Sequence, residues 1–234
     1  MPEPPRKSLA IVAALEREVR PLVKNWRMTE REYDGRRFRF FEKDDIVLVC
    51  GGIGATAARR AAEAVIVLFA PSTVYSVGFA GALDPRMNVG DVMCPGRVIN
   101  AGDGSSVALN AEKGALISFG SVASPDQKRN LHQSFGAHAV DMEAASVLRA
   151  AEAHGIAFGA VKAISDDSGF DLPPMDRFVD EEGKFSEFRF ALFAALRPWI
   201  WPQVLRLAAN SKRASHALCA YLSDRCVAGK TARL

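Results

Sequence analysis

The distribution of apolar residues along the chain predicts buried strands that alternate with amphipathic helices. Several short runs are almost wholly apolar, which is typical of strands covered on both faces. These predicted strands are Ser8–Leu15, Arg37–Phe41, Asp45–Cys50, Thr73–Val77 and Ile156–Ile164. An alanine-rich stretch, Ala55–Phe69, predicts a helix between the third and fourth of them. Such alternation is typical of the α/β class of folds.

A second helix is predicted after Asp141, a residue type that favours helix N-caps. Apolar residues then recur at the i, i+3, i+4, i+7 spacing of one helix face, and His154-Gly155 provides a stop signal. On this interpretation Asp141 and Glu143 lie in the first turn, where the helix dipole favours negative charge.

Acidic residues follow two of the predicted strands. Glu16-Arg17-Glu18 comes after the first strand, and Ser165-Asp166-Asp167 comes after Ile156–Ile164. Ligands of open α/β sheets bind beyond the carboxyl ends of the strands, so these carboxylates are candidate functional groups. The alternative is that they only cap helices and solvate loops. The glycine-rich turn Gly51-Gly52-Ile53-Gly54 would let the backbone approach a ligand, although glycines also close ordinary turns.

Composition narrows the class of protein. The 234 residues are 49% hydrophobic and 24% charged, which suits one large globular domain. The formal net charge of +3 is too small to indicate a nucleic-acid partner. The four cysteines are scattered without a CxxC pair, which favours free thiols in a reducing compartment and no metal site. The first 15 residues do not read as a signal peptide, so we expect a cytoplasmic protein.

The C-terminal region differs from the rest in charge. Residues 189–234 contain eight Lys or Arg against one acid, Asp224, and the segment FALFAALRPWIW adds several aromatic residues. We expect helices there, with breaks at Pro198 and Pro202 and a final helix near Lys212–Asp224. An apolar face flanked by arginines suits a membrane surface, but also a face that packs on the sheet or on a dimer partner.

Two segments together resemble a known family. VDMEAASV at Val140–Val147 and VKAISDDSG at Val161–Gly169 resemble the VEMEA…VRAISD signature of the purine and uridine phosphorylase family, which includes the methylthioadenosine/S-adenosylhomocysteine nucleosidases. Gly78–Leu83 and the NVGDV segment that ends at Val92 resemble the TGSAGGL…VGDV pair of the same family. This chain departs from that pattern in having Phe79 where a small hydroxyl residue is usual.

The resemblance implies roles for individual residues. Asp166 would be the general acid that protonates N7 of a purine, and Glu143 would bind the ribose hydroxyls above Met142. Glu18, in the segment that aligns with A-M-E-E-E-V, would orient the attacking water. Further substrate contacts are implied for Asp141, Phe79, Ala80, Gly81 and Ser165. The loop Ser121–Ser124 lies where the family contacts the base, but it contains no aromatic residue that could stack.

The nucleophile and the substrate stay open at this stage. Phe79 and the Glu18 segment favour water, whereas Lys162 leaves a cation near the site and keeps inorganic phosphate possible as a co-substrate. The shortened stretch between Val92 and Ser118 and the basic aromatic C-terminal region resemble the hopanoid-associated branch, which removes adenine from adenosylhopane. A catalytically silent nucleoside- or lipid-binding protein on the same fold is the alternative from a different class.

Taken together, these features predict a three-layer α/β/α sandwich with a central twisted mixed sheet, formed by a single domain over residues 1–234 in which 185–234 is a helical, basic extension. We expect a homodimer that cleaves the N-glycosidic bond of a purine nucleoside without a metal or organic cofactor. Relatives complete their sites across a subunit interface. We expect a cytoplasmic location, with peripheral contact at the inner membrane as an option that the C-terminal region leaves open.

Overall fold

The computed structural model describes residues 7–109, 114–172, 175–180, 183 and 185–227, and these form a three-layer α/β/α sandwich, which confirms the expected fold class. The strands are β1 Leu9–Ala13, β2 Arg27–Tyr33, β3 Arg36–Lys43, β4 Ile46–Cys50, β5 Thr73–Ala82, β6 Val92–Met93, β7 Arg97–Asn100, β8 Ser106–Ala108, β9 Ala115–Ser118, β10 Ala139–Asp141 and β11 Ala157–Asp166. The helices are α1 Glu16–Val23, α2 Ala55–Phe69, α3 Pro125–Phe135, α4 Ala144–Ala153, α5 Glu187–Ala195 and α6 Trp201–Val227.

The sheet is mixed, with a parallel centre. Its strand order is β2-β3-β4-β1-β5-β10-β9-β7-β8, and β11 pairs with β5 and with β6. Strands β4, β1, β5 and β11 run parallel to one another, whereas β2 and β3 form an antiparallel hairpin at one edge. The five strands predicted from the sequence have counterparts in β1, β3, β4, β5 and β11, whereas β2 and β6 to β10 were not predicted. Strand β2, with its alternating exposed residues RMTEREY, gave no buried apolar run.

Two apolar clusters join the layers. One packs α2 and α4 on one face of the sheet, and it includes Phe40, Phe69 and Val147. The other packs α1 and the C-terminal half of α6 on the opposite face, through residues such as Val19 and Leu218. Burial on both faces explains why the central strands read as continuous apolar runs.

The sheet has an opening beside β5. Strand β1 pairs with β5 as far as Ala13 opposite Val77, and β10 joins the same edge at Gly81 and Ala82. Residues 78–80 therefore have no strand on that edge among the described residues, and the chain turns there from β1 into α1. A gap of this kind at the carboxyl ends of parallel strands is where α/β proteins place ligands.

The start of the helix after Asp141 differs from the prediction. Asp141 ends β10, pairing with Ser118 of β9, and α4 begins at Ala144 with Glu143 in the N-cap position. The prediction that both acids lie in the first turn was therefore wrong. The Asp141 side chain nevertheless caps α4, because its Oδ2 accepts a hydrogen bond from the Ala144 amide at 2.9 Å. Strand pairing, which the local sequence does not show, decided the boundary.

Two further boundaries were wrong. Strand β5 continues five residues beyond Val77, to Ala82, because β11 pairs with it as far as Gly81 and β10 pairs with Gly81 and Ala82. Helix α6 begins at Trp201 and not near Lys212, so Pro202 does not break it. A proline in the first turn of a helix is tolerated because its missing N–H has no helical acceptor there. Pro198 does mark a break, which lies between α5 and α6.

Two segments that the sequence left without detail have structure. Residues 92–118 hold the short strands β6 to β9, and residues 110–113 lie outside the described part. The part of the chain between β11 and α5 includes a 3-10 turn at Met175–Phe178, where Phe178 is buried against rings of α5. Within the described residues, no helix is long and apolar enough to cross a membrane.

Candidate functional site

A cavity of about 150 Å³ lies at the opening beside β5. Residues that are far apart in sequence line it, because β1, β5, β10 and β11 all end there. All nine residues singled out from the sequence are among its walls: Glu18, Phe79, Ala80, Gly81, Asp141, Met142, Glu143, Ser165 and Asp166. The structure thus brings the three candidate acids Glu18, Glu143 and Asp166 to one space, while their individual roles stay a prediction.

Glu18 is a buried carboxylic acid in α1, and 6% of its surface is exposed. Its Oε2 has no hydrogen-bond partner among the described residues. Burial raises the pKa of Glu18 to about 8, with a further rise from Glu143, while Lys162 and Arg17 act in the opposite direction. A carboxyl group of this kind is about half ionised near pH 8, which suits a general base in mildly alkaline solution.

Lys162 is a buried lysine whose ammonium group contacts a carboxylate and a serine hydroxyl. Its Nζ is 2.9 Å from Oδ2 of Asp141 and donates a hydrogen bond to Oγ of Ser76 at 3.0 Å. Burial acts to lower the pKa of Lys162, but Asp141 and Glu143 outweigh it and the net pKa is raised. Lys162 is thus a cation near the site, as the sequence indicated, and Asp141 already pairs with its charge. That phosphate could bind here stays a prediction.

Glu143 is held by backbone amides. The Gly54 amide donates to its Oε1 at 2.8 Å and the Met142 amide donates to its Oε2 at 3.2 Å. Burial, followed by the charge of Asp141, raises the pKa of Glu143, whereas Lys162 and the two amides act to lower it. The glycine-rich turn that precedes α2 thus contributes a donor to a protein carboxylate. Gly54 has φ of +92°, a conformation that glycine adopts readily.

Asp141 is tied down on both oxygens. Ser118 at the end of β9 donates its hydroxyl to Oδ1 at 2.6 Å, and the Ala144 amide and Lys162 bind Oδ2. The Ser118 hydroxyl oxygen also accepts from the Ala145 amide at 2.9 Å. Although Asp141 borders the cavity, these contacts hold α4 and Lys162 in place, and Ser118 was not identified from the sequence.

Asp166, the last residue of β11, also lines the cavity. A register shift between Ile164 and Asp166 interrupts the pairing of β11 with β5, and such bulges re-aim side chains near functional sites. The Ser165 hydroxyl donates to Oδ1 of Asp166 at 2.7 Å. The other oxygen, Oδ2, forms an ion pair with Lys128 of α3, a contact that the sequence analysis missed.

Lys128 is 1% exposed and borders the same cavity. A sequence signal for it exists, because Lys128, Leu131 and Phe135 recur at the spacing of one helix face, so the lysine falls on the apolar side of α3. The walls beside it are less polar. Ser121, Val122 and Ala123 of the loop before α3 lie there, and Phe79 supplies aromatic surface.

These features define a class of site. Carboxyl groups from three walls surround a small cavity, two of them have raised pKa values, and a carboxylate–lysine pair lies opposite. Such groups can donate a proton to one part of a bound molecule and remove one from a nucleophile. No group of three or more His, Cys, Asp or Glu side chains arranged to bind a metal occurs in the part of the chain that the structure describes.

Comparison with known proteins identifies the family. The sequence matches the model of the Phosphorylase superfamily over residues 8–116 and 110–196, which is most of the chain. The chain therefore belongs to the Phosphorylase superfamily, in agreement with the resemblance found in its motifs, and is an enzyme of that superfamily.

Relatives and solved structures agree with this placement. A 5'-methylthioadenosine/S-adenosylhomocysteine nucleosidase of Staphylococcus carnosus is 25% identical over 222 residues, covering 76% of this chain and 95% of its own. The nucleosidase of the same name from Helicobacter pylori has a TM-score of 0.70 at 17% identity, with 96% of this chain and 99% of its own covered. Futalosine hydrolase of Helicobacter pylori has a TM-score of 0.69 at 17% identity, with 94% and 97% covered.

Proposed function

We propose that this protein hydrolyses the N-glycosidic bond of a purine nucleoside, releasing the base. The observation that carries the proposal is that Glu18, Glu143 and Asp166 border one cavity, with Glu18 held as a buried acid of raised pKa. The names of the relatives, which are nucleosidases, support the same class of reaction.

Each acid has a part in the proposed reaction. Asp166 donates a proton to N7 of the base as the C–N bond breaks, so that the base leaves as a neutral molecule. Glu143 accepts hydrogen bonds from the ribose hydroxyls, and its negative charge stabilises the positive charge that develops on the sugar. Glu18 removes a proton from the water that attacks the anomeric carbon.

The charges around Glu18 favour water over phosphate as the nucleophile. Lys162, a cation that acts on both Glu18 and Glu143, is already bound to Asp141. A phosphate ion would place further negative charge beside Glu18 and Glu143 without a matching cation from Lys162. Arg17 also lines the cavity, and this supports phosphorolysis with release of ribose 1-phosphate as the second candidate.

One assay separates these functions. Purified protein is incubated with a panel of adenine and other purine nucleosides, with and without phosphate, and release of the base and the sugar product are followed. Hydrolysis predicts free ribose at a rate that phosphate does not change, whereas phosphorolysis requires phosphate. Asp166→Asn should lower the rate about 100-fold or more while the thermal unfolding stays cooperative. No base release from any nucleoside would support the non-catalytic binding protein instead.

A more specific substrate follows from the C-terminal region. Six large apolar side chains, defined here as the aromatic patch, are exposed to solvent within 18 residues: Phe188, Leu192, Leu196, Trp199, Trp201 and Leu205. Phe188 is 78% exposed and Trp199 is 72% exposed. An exposed apolar patch of this size indicates an interaction surface.

Arginines connect this patch to anionic lipid and to the cavity. Arg189, Arg197 and Arg206 lie within the same segment, and apolar surface with flanking arginines suits an anionic membrane surface. Arg206 forms an ion pair with Asp167 at 2.7 Å, one residue from the candidate acid Asp166. The start of α6 therefore lies next to the mouth of the cavity. A substrate with a membrane-embedded 5′ substituent, such as adenosylhopane, could reach the cavity from a membrane bound there.

Binding to vesicles tests the membrane contact. The protein should co-sediment with vesicles rich in phosphatidylglycerol and much less with neutral phosphatidylcholine vesicles. Changing Leu196 and Trp199 together to Ser should weaken binding at least tenfold, while Met28→Ser, which alters an exposed apolar residue of β2, should not. Absence of vesicle binding, or patch variants that only convert a dimer into a monomer, would contradict the membrane proposal and assign the patch to a second copy.

The adenosylhopane proposal has its own test. Adenine release from an adenosine with a long apolar 5′ substituent in vesicles should exceed release from 5'-methylthioadenosine. Preference for methylthioadenosine would contradict it. We further place the protein in the cytoplasm as a homodimer. The free thiols of the described cysteines support the first point, and light scattering in solution tests the second.

A further inference from the structure

The ion pair between Lys128 and Asp166 is the feature that the proposed reaction does not yet use. Lys128 extends from α3 into the cavity wall and donates to the Asp167 carbonyl at 2.7 Å as well as binding Oδ2 of Asp166. A second carbonyl, that of Phe170, lies 3.5 Å from its Nζ. Placing an ammonium group in so buried a position is costly unless its partners compensate.

The pair creates a difficulty for a general acid. Both oxygens of Asp166 are engaged, Oδ1 by the Ser165 hydroxyl and Oδ2 by the Lys128 ammonium. Both oxygens accept hydrogen bonds in this arrangement, so Asp166 holds no proton that it could give to the base. The proton for N7 must therefore come from a group that is bound to Asp166.

We infer that Lys128 is a positioning residue that supplies this proton through Asp166; the inference rests on the proposed cleavage of a purine nucleoside. As the C–N bond breaks, its electron pair moves onto the base and N7 becomes more basic. Lys128 first transfers a proton from Nζ to the Asp166 carboxylate, and the carboxylic acid so formed then passes its proton to N7. The base leaves neutral, Asp166 is again a carboxylate, and the neutral Lys128 amine regains a proton from water.

The contacts of the nearby cations support Lys128 as the source of the proton. Lys162 is bound to Asp141, and Arg17 acts on Glu18. Lys128 is the cation whose Nζ contacts Asp166 among the described residues. The alternative is that Lys128 only ties together the loop 166–170 through the two carbonyls, which is a structural role without a proton transfer.

A pair of substrates distinguishes these two roles. An N7-methylated purine nucleoside already carries a positive charge on its base and leaves without protonation, whereas its unmethylated parent requires the proton. Lys128→Met should lower the turnover of the parent nucleoside about 100-fold and change turnover of the methylated nucleoside less than threefold. Lys128→Arg, which keeps a cation, should recover at least a tenth of the wild-type rate on the parent.

Controls separate this result from a loss of fold. Arg129→Met removes a neighbouring, exposed cation of α3 and should leave both substrates unaffected. The double variant Lys128→Met with Asp166→Asn removes both charges and should fold even if the single variant is unstable. It should retain turnover of the methylated nucleoside.

Three outcomes would overturn the inference: equal loss on both substrates in a folded Lys128→Met protein, more than a third of wild-type turnover on the parent, or loss of methylated-substrate turnover in the folded double variant. If the wild-type protein released no base from either nucleoside, the proposed function itself would fail.

Discussion

Burial of Glu18 makes the stability of this protein depend on pH. The ordinary pKa of a glutamic acid is 4.5, and the pKa of Glu18 in the fold is raised to about 8, chiefly by burial. Because the folded pKa lies above the unfolded one, the folded state binds a proton that the unfolded state has lost. The contribution of Glu18 to stability is therefore complete below about pH 4.5 and is lost as the pH rises through about 8.

The size of the effect follows from the difference in pKa. About 3.5 pKa units at roughly 1.4 kcal/mol each give close to 5 kcal/mol over the whole range. Between about pH 5.5 and about pH 8.5 the free energy of unfolding should fall by about 3 kcal/mol on account of Glu18 alone. The free energy of unfolding of a folded domain is typically about 5 to 15 kcal/mol, so this change is a large share of it.

Urea unfolding of the wild type and of Glu18→Gln at those two pH values measures it. Glutamine keeps the shape of the side chain but cannot ionise. The free energy of unfolding of the variant, minus that of the wild type, should therefore be about 3 kcal/mol larger at the higher pH than at the lower pH. Glu16→Gln is the matched control, because Glu16 lies in the same helix but is partly exposed and pairs with Arg39 at 3.5 Å. A difference between wild type and Glu18→Gln that stays constant within about 0.5 kcal/mol would refute the reasoning.

The same carboxyl group should govern the rate. If Glu18 is the base, kcat/KM of the wild type rises with pH as Glu18 ionises and levels off above about 8. Glu18→Gln should lose about 100-fold in rate together with this limb of the pH profile. A variant that keeps the limb would assign it to another group.

Two further predictions concern packing. Gly81→Ala would place its Cβ 2.8 Å from Oδ2 of Asp166 and 3.3 Å from Cε of Lys128. Because these side-chain ends can shift, we expect about a 100-fold loss of turnover with an almost unchanged melting temperature. A large drop in melting temperature would contradict this prediction. Leu218→Ala, on the buried face of α6, should lower the free energy of unfolding in urea by about 2 to 5 kcal/mol. Leu205→Ala, on the exposed face, should lower it by less than about 0.5 kcal/mol. Equal losses would mean that α6 does not pack as described.

The hydrophobic pattern of the local sequence was sufficient to predict the helices and strands that contain continuous buried apolar residues. Helix α2 begins and ends where its alanine-rich stretch does, at Ala55 and Phe69, because its apolar face is continuous in sequence. Strand β2 escaped notice because its seven residues are alternately exposed and half-buried at an edge of the sheet. The start of α4 was misplaced because Asp141 pairs with Ser118, a contact between segments that are 23 residues apart.

For the candidate site, too, the sequence predicted some features and missed others. Motifs named Glu18, Glu143 and Asp166 as acids of one site, and the structure gathers all three around one cavity. The motifs did not reveal that Lys128 forms an ion pair with Asp166, or that Lys162 forms one with Asp141. These pairs depend on helix α3 and strand β10 reaching the same space from distant parts of the chain.

For this protein, the amino-acid sequence by itself determined the fold class and the chemical types at the site, because hydrophobic periodicity and short motifs are local properties. Only the tertiary structure decided the ionisation of those groups. The pKa of Glu18 rises to about 8 because folding removes water from it and places Glu143 nearby. Burial and the distance between charges exist only once the chain has folded, and they set which acid can give a proton and which can take one.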